Sequence, residues 1–387
     1  MYNNGIHFAL KTWLQPSHFC FFAPFLDNTG VPMSKAIGYA TNHSFTSLAP
    51  ILFDRPEPDP SDVQITILFC GVCRSDLHQV RDDWKNTVYP CMPGHEIVGR
   101  VSAIGKQVSK HAVGDLVGVG CMVNSCGSCA SCRARLEQYC EGPIGATLTY
   151  NGPMKPDGSN TFGGYSSHIV VPESFVLKIP AGLDPVAAPP LLCAGVTTYS
   201  PLRHWRVGEG QRVGVVGLGG LGHMAVKLAS AMGARVTVFS TSADKEADAR
   251  RFGAEDFVLS TDKKAMTATE LSLDFVLSTV PDSHDINPYV QALKRDATLV
   301  VVGTLAPFSK PTDNSKVAFH RRNVAGSLIG GIAETQEVLN FCAEHGIQAE
   351  VEVIPMADIN EAFRCIARGE VRYRQVIDIA GTLKQPD

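Results

Sequence analysis

The apolar positions change their period once along the chain. Between about residues 35 and 180 they come in short runs. Val63, Ile65, Ile67 and Phe69 alternate with Gln64, Thr66 and Leu68, which predicts a strand buried mainly on one face. Residues 97–104, 113–119 and 166–171 are further strand candidates, with Gly99, Gly105, Gly114 and Gly118 as punctuation. Few helices are expected in this β-rich region. After Pro189 and Pro190 the pattern lengthens into a helix over 192–203, a continuous apolar strand over 211–216, a glycine turn, a helix over 223–232 and a strand over 235–239. Strands follow at 257–259, 275–279 and 298–302 with helices between them, and 327–332 reads as the last strand. Such alternation predicts an α/β doubly wound parallel sheet. A helix near 335–344 and shorter pieces up to Ile379 are expected to return to the first region.

Length fits this division, because 387 residues are many for one core and suggest two domains. Hydrophobic residues at 44% and charged residues at 19% are ordinary for a globular protein, and a net charge of −4 offers no surface for nucleic acid. No apolar run reaches transmembrane length, so no membrane partner is expected. Residues 1–32 stand apart. Phe19, Phe21, Phe22 and Phe25 cluster there with Lys11 as the only Lys or Arg, a poor match to a secretory or organellar leader. The segment is read as a mis-annotated or poorly ordered extension ahead of a start at Met33.

Chemistry enters at Cys126, Cys129, Cys132 and Cys140, spaced by two, two and seven residues. Thiolates bind Zn²⁺ at about 2.3 Å, so four of them must converge from one short loop, and Gly127, Ser128, Ala130 and Ser131 leave the backbone room to curl. Four protein ligands close the coordination sphere and make a structural site. Disulfides are the competing reading, but twelve cysteines in an acidic chain of this length do not resemble a small secreted scaffold. The abundance of thiolate ligands points to a reducing cytoplasm.

Gly217, Leu218, Gly219, Gly220, Leu221 and Gly222 fall between a predicted strand and a predicted helix, where a glycine pattern becomes specific for a dinucleotide. Gly217 permits the tight turn, Gly219 lets backbone amides approach a pyrophosphate, and Gly222 allows close packing of helix and strand. The helix N-terminus favours the phosphates. An NAD site usually carries an acid at the end of the next strand. Here the chain reads Phe239, Ser240, Thr241, Ser242, then Lys245, which suits the 2′-phosphate of NADP(H), with Asp244 as the one opposing residue.

Cys73, His95 and Cys193 come from distant segments, and together they supply the two-cysteine, one-histidine set of an open zinc site. On these motifs, taken in order, the chain resembles the zinc-dependent medium-chain alcohol dehydrogenases, and most closely the cinnamyl alcohol dehydrogenase branch. The resemblance runs from about Met33 to Ala380. It implies a GroES-like catalytic domain over 33–188, a Rossmann domain over 189–332 and a return to the catalytic domain over 333–387. It further implies a catalytic zinc on Cys73, His95 and Cys193, with Glu96 as a conditional ligand, and a homodimer joined through the Rossmann sheets.

Within that resemblance Ser75 matches the hydroxyl that starts a proton relay and His78 the outer end of that relay. Asp76 matches the carboxylate that orients the zinc histidine, although on residues alone it is equally a helix cap. Trp84 is a candidate wall of the substrate pocket. Arg74 stands where this family often has His, and is expected to alter cofactor or substrate contacts. The expected reaction is reduction of aromatic or medium-chain aldehydes to primary alcohols by NADPH, with zinc as Lewis acid. The competing readings are an NAD-linked polyol or glutathione-adduct dehydrogenase on the same scaffold, against which the missing acid at Ser240 counts, and a non-catalytic nucleotide-binding relative, against which the intact Cys73, His95 and Cys193 count.

Overall fold

The computed structural model describes residues 33–152, 160–303 and 306–384. The 1–32 extension expected from the sequence lies outside the described residues. Two sheets dominate. The first contains seven strands and is built on the long strand Asp62–Val72, where Val63, Ile65 and Ile67 are buried and Thr66 is exposed. That strand pairs antiparallel with Ile97–Ile104, His168–Pro172 and Arg374–Asp378. A separate antiparallel pair, Met33–Ala40 with Ala49–Pro56, lies alongside. Sequence patterning did not resolve that pair.

The second sheet has six parallel strands in the order Asp256–Leu259, Arg235–Ser240, Arg212–Val216, Leu273–Ser278, Leu293–Val301, Asn323–Gly326. The order reverses direction beside Arg212–Val216, and ligands bind at such a switch point, outside the carboxyl ends of the strands. Helix Gly222–Ala231 leaves the sheet there. Helix Ala194–His204, buried from Ala194 through Leu202, packs on helix Gly222–Ala231 and on helix Ile332–His345, the latter through Ser200–Glu334 and Tyr199–Glu337 hydrogen bonds.

Two expected strands are corrected. The 113–119 strand begins only at Leu116, because Ala112–Asp115 close a turn in which Gly114 has φ +94°. The last strand of the parallel sheet is Asn323–Gly326, not 327–332. Residues 327–331 leave the sheet, and Gly331 caps helix Ile332–His345 with Glu334 returning to its amide. The apolar pair Leu328 and Ile329 imitates a strand in the sequence, but Ile329 has φ +38° and cannot continue one.

Candidate active site

The long strand Asp62–Val72 delivers Cys73 at its end, and Cys73 becomes the N-cap of the short helix Arg74–Val80. In the neighbouring strand Cys70 is opposite Ile97, so His95 and Glu96, just before Ile97, emerge beside Cys73. The Gly71 amide donates to the Glu96 carbonyl at 2.9 Å. Gly71 also makes room for the acid, since a Cβ there would stand 2.0 Å from Glu96 Oε2. Cys193 arrives from the opposite side, as the N-cap of helix Ala194–His204 after the turn Pro189–Leu192. Donor atoms of Cys73, His95, Glu96 and Cys193 all lie within 4.8 Å of one another, and all four residues are buried.

Asp76 organises this cluster from a fully buried position. Its Oδ2 accepts from the Cys73 amide at 2.9 Å and the Tyr165 hydroxyl at 3.1 Å. Its Oδ1 accepts from the Gly94 amide at 3.0 Å and lies 3.0 Å from His95 Nδ1. The carboxylate therefore caps the helix and engages one ring nitrogen of His95, which leaves Nε2 for a metal. Cap and histidine anchor, which compete on the sequence alone, are one arrangement here. The Cys73 thiol is held well below its ordinary value by its hydrogen bond from Cys193, and next by the charge of Arg374, against burial. Glu96 is pushed up to about 7 by burial, against the pull of Arg374. Its Oε2 has no partner, an orphaned buried oxygen that fits a cation in the cluster.

Arg374 is the residue the sequence reading missed. It is buried, forms an ion pair with Glu96, and lies against the glycine turn, where a Cβ on Gly220 would stand 3.1 Å from its Nη1. No motif marks it; the only trace is a basic residue just before the buried run Val376–Ile377. Tyr150 was also missed, and its ring packs 5.5 Å from that of His95.

Along helix Arg74–Val80, Ser75 and His78 are three residues apart and both half-buried, a spacing that shares a helix face. His78 Nδ1 is 2.7 Å from Asp83 Oδ2, a partner not foreseen, and Trp84 lies 5.7 Å from its ring. Trp84 thus sits beside the candidate relay. Arg74 reaches the other sheet's region, where its Nη2 is 3.4 Å from Asp282.

The glycine turn has the shape a dinucleotide needs. Gly217 has φ +87°, a Cβ on Gly222 would stand 2.1 Å from the Gly217 carbonyl oxygen, and space is open beside Gly219. Leu221 is the N-cap of helix Gly222–Ala231 and has no side-chain cap. At the end of strand Arg235–Ser240, the Ser240 hydroxyl accepts from the Ser242 amide at 3.1 Å, Thr241 is exposed, and Lys245 Nζ donates to the Leu218 carbonyl at 2.9 Å.

Cys126, Cys129, Cys132 and Cys140 form the second cluster, again within 4.8 Å. Cys126 and Cys132 sulfurs are 3.9 Å apart, too far for a disulfide and near the about 3.8 Å edge of a tetrahedron around zinc. Backbone amides donate to the sulfurs, from Cys129 to Cys126, Cys132 to Cys129 and Gly142 to Cys140 at 3.3–3.4 Å. Amides of Ser128 and Cys129 lower the Cys126 thiol to about 6, which favours a thiolate.

Comparison with known proteins agrees with this geometry. Residues 59–181 match the alcohol dehydrogenase GroES-like domain and 220–344 the zinc-binding dehydrogenase family. The chain is 53% identical over 332 residues to aldehyde reductase YahK of Escherichia coli strain K12, covering 86% of this chain and 94% of that protein. Among solved structures it resembles a cinnamyl alcohol dehydrogenase of Sorghum bicolor, with TM-score 0.87 and 42% identity over 92% of this chain and all of that one. It also resembles the enzyme of that type from Helicobacter pylori complexed with NADP(H), with TM-score 0.84 and 38% identity over 91% of this chain and 100% of the other. The fold and site define a zinc-dependent oxidoreductase of alcohols and aldehydes. The chain belongs to the medium-chain alcohol dehydrogenase superfamily, in its cinnamyl alcohol dehydrogenase-like branch.

Proposed function

We propose that this enzyme reduces aldehydes to primary alcohols with NADPH, and runs the reverse oxidation with NADP⁺. The observation that carries the reading is the buried cluster of Cys73, His95 and Cys193, with Asp76 on His95 Nδ1 so that Nε2 is left for a metal. A zinc ion held there supplies Lewis-acid polarisation of the carbonyl oxygen, and bound NADPH supplies hydride. Glu96 is a conditional fourth ligand, restrained by Arg374. Asp76 fixes the His95 ring. Ser75 offers its hydroxyl to the reacting oxygen and His78 completes the proton path at Nε2, because Nδ1 is engaged by Asp83. Gly217, Gly219, Gly220, Leu221 and Gly222 seat the pyrophosphate, and Ser240, Thr241, Ser242 and Lys245 receive the 2′-phosphate. Trp84 borders the substrate. Cys126, Cys129, Cys132 and Cys140 hold a second, structural zinc.

In this reading 33–188 and 333–387 form the catalytic domain and 189–332 the NADP(H)-binding domain, with the reaction in the cleft between them. A homodimer joined along the outer strand Asn323–Gly326 is supported by that strand's second edge, which pairs with no other strand among the described residues. Eleven free cysteines among the described residues support a reducing compartment, the cytoplasm. Steady-state kinetics with NADPH and NADH across aromatic and medium-chain aldehydes test the activity. A higher kcat/KM with NADH overturns the coenzyme assignment.

A further inference from the structure

The corner read as the 2′-phosphate site is not free of negative charge. Asp244 lies among Ser240, Thr241, Ser242 and Lys245, and Asp248 follows one turn later. Two carboxylates beside a group carrying nearly two negative charges repel it unless something neutralises them. Something does, and it comes from the other sheet. Arg372, two residues before strand Arg374–Asp378 begins, forms an ion pair with Asp244 and places Nη1 3.4 Å from Asp248 Oδ2. The Tyr373 hydroxyl donates to the same Asp248 oxygen at 2.7 Å, and Arg251 holds the other oxygen at 3.1 Å. Arg372 is also close enough to Lys245 for its charge, after burial, to lower the lysine's pKa.

We infer that Arg372 is a coenzyme-specificity residue. It offsets the charge of Asp244 and shares Asp248 with Arg251, which leaves the charge of Lys245 over, so that the corner lined by Lys245 and the serines accepts a 2′-phosphate despite its acids. The inference rests on the NADP(H) reading above. It also bears on the acid beside Lys245, whose charge Arg372 offsets, so that the carboxylate no longer opposes a 2′-phosphate as the acid of an NAD(H) site does. The same tripeptide continues inward. Tyr373 stacks on His223 behind the glycine turn at 5.3 Å, and Arg374 pairs with Glu96. The phosphate corner is therefore completed by the sheet that carries the metal cluster.

Calorimetric titration of the zinc-loaded protein with 2′,5′-ADP and with 5′-AMP tests this, together with kcat and KM for NADPH and NADH. Arg372→Gln is expected to weaken 2′,5′-ADP by about tenfold more than 5′-AMP, and to lower the NADPH-to-NADH ratio of kcat/KM by a similar factor through KM. Arg372→Lys should restore most of the preference. Adding Asp244→Asn to Arg372→Gln should recover about threefold or more, because the exposed repulsion is removed. Raising the salt concentration should shrink the difference between wild type and Arg372→Gln. Equal losses for both nucleotides, or no loss, overturn the inference, and an equal loss with a lowered Tm assigns Arg372 to packing. If the wild type itself does not prefer 2′,5′-ADP to 5′-AMP, the NADP(H) reading fails, and the inference with it.

Discussion

Asp76→Asn is nearly isosteric and tests whether one carboxylate builds the metal cluster. The wild-type side chain accepts at both oxygens, from Cys73 and Tyr165 at Oδ2 and from Gly94 and His95 at Oδ1. An amide keeps a single acceptor. With its oxygen toward Gly94 and His95, its nitrogen faces the Cys73 amide, donor against donor, while the Tyr165 hydroxyl can rotate to accept. The Cys73 N–H and the amide N–H that faces it then lack an acceptor, at about 1–3 kcal/mol, and the bond to His95 loses its charge assistance, at about 1 kcal/mol more. The opposite orientation strands the Gly94 and His95 donors and costs more. The expected destabilisation is about 2–4 kcal/mol, read by urea unfolding of the zinc-loaded protein. The weakened His95 anchor should also loosen zinc at this cluster about 10–100-fold in chelator competition, without affecting the four-cysteine site. Wild-type stability with unchanged zinc retention would show that Asp76 does not hold the cluster together.

Three further outcomes follow from the same contacts. Gly222→Ala places a Cβ 2.1 Å from the Gly217 carbonyl and must open the turn, so NADPH binding followed by fluorescence should weaken by at least about tenfold while both zinc ions remain. Arg374→Met leaves Glu96 buried without its cation and should cost about 3–5 kcal/mol in urea unfolding; pairing it with Glu96→Gln should recover much of that loss, and an additive double variant would count against the coupling. His223 is buried, accepts from the Glu350 amide at Nε2, and burial lowers its pKa to about 3. It is neutral when folded and protonates near 6.5 when unfolded, so its contribution is complete above about pH 6.5 and declines as pH falls toward 3. Between pH 6.5 and 4, wild type should lose on the order of 3 kcal/mol more than His223→Phe, and parallel pH profiles would contradict this.

What the sequence revealed was local. The four-cysteine cluster, the glycine turn and strand Ile97–Ile104 announce themselves through spacing or alternation over short stretches. Cys73 and His95 are 22 positions apart, yet Cys73 follows one apolar run and His95 precedes another, and those two runs pair. Arg374 and Arg372 were invisible for the opposite reason. They meet Glu96 and Asp244 across more than a hundred residues of chain, and a basic residue before an apolar strand has no signature of its own. Strand Asn323–Gly326 escaped because an edge strand of four residues, half exposed, carries little hydrophobic signal, whereas Leu328 and Ile329 carry much and fold as a loop. The partner of His78 was hidden similarly, since Asp83 beside Asp82 reads as surface charge.

In the proposed function an open zinc site on Cys73, His95 and Cys193 carries the reaction, while the four-cysteine loop only braces the fold. Metal analysis and NADPH-dependent aldehyde reduction measured on one preparation of Cys73→Ala test it most directly. Two zinc ions per chain are expected in the wild type, and one zinc ion, a retained fold and no turnover in the variant. A variant that keeps both zinc ions, or reduces aldehydes at a rate comparable to the wild type, contradicts it.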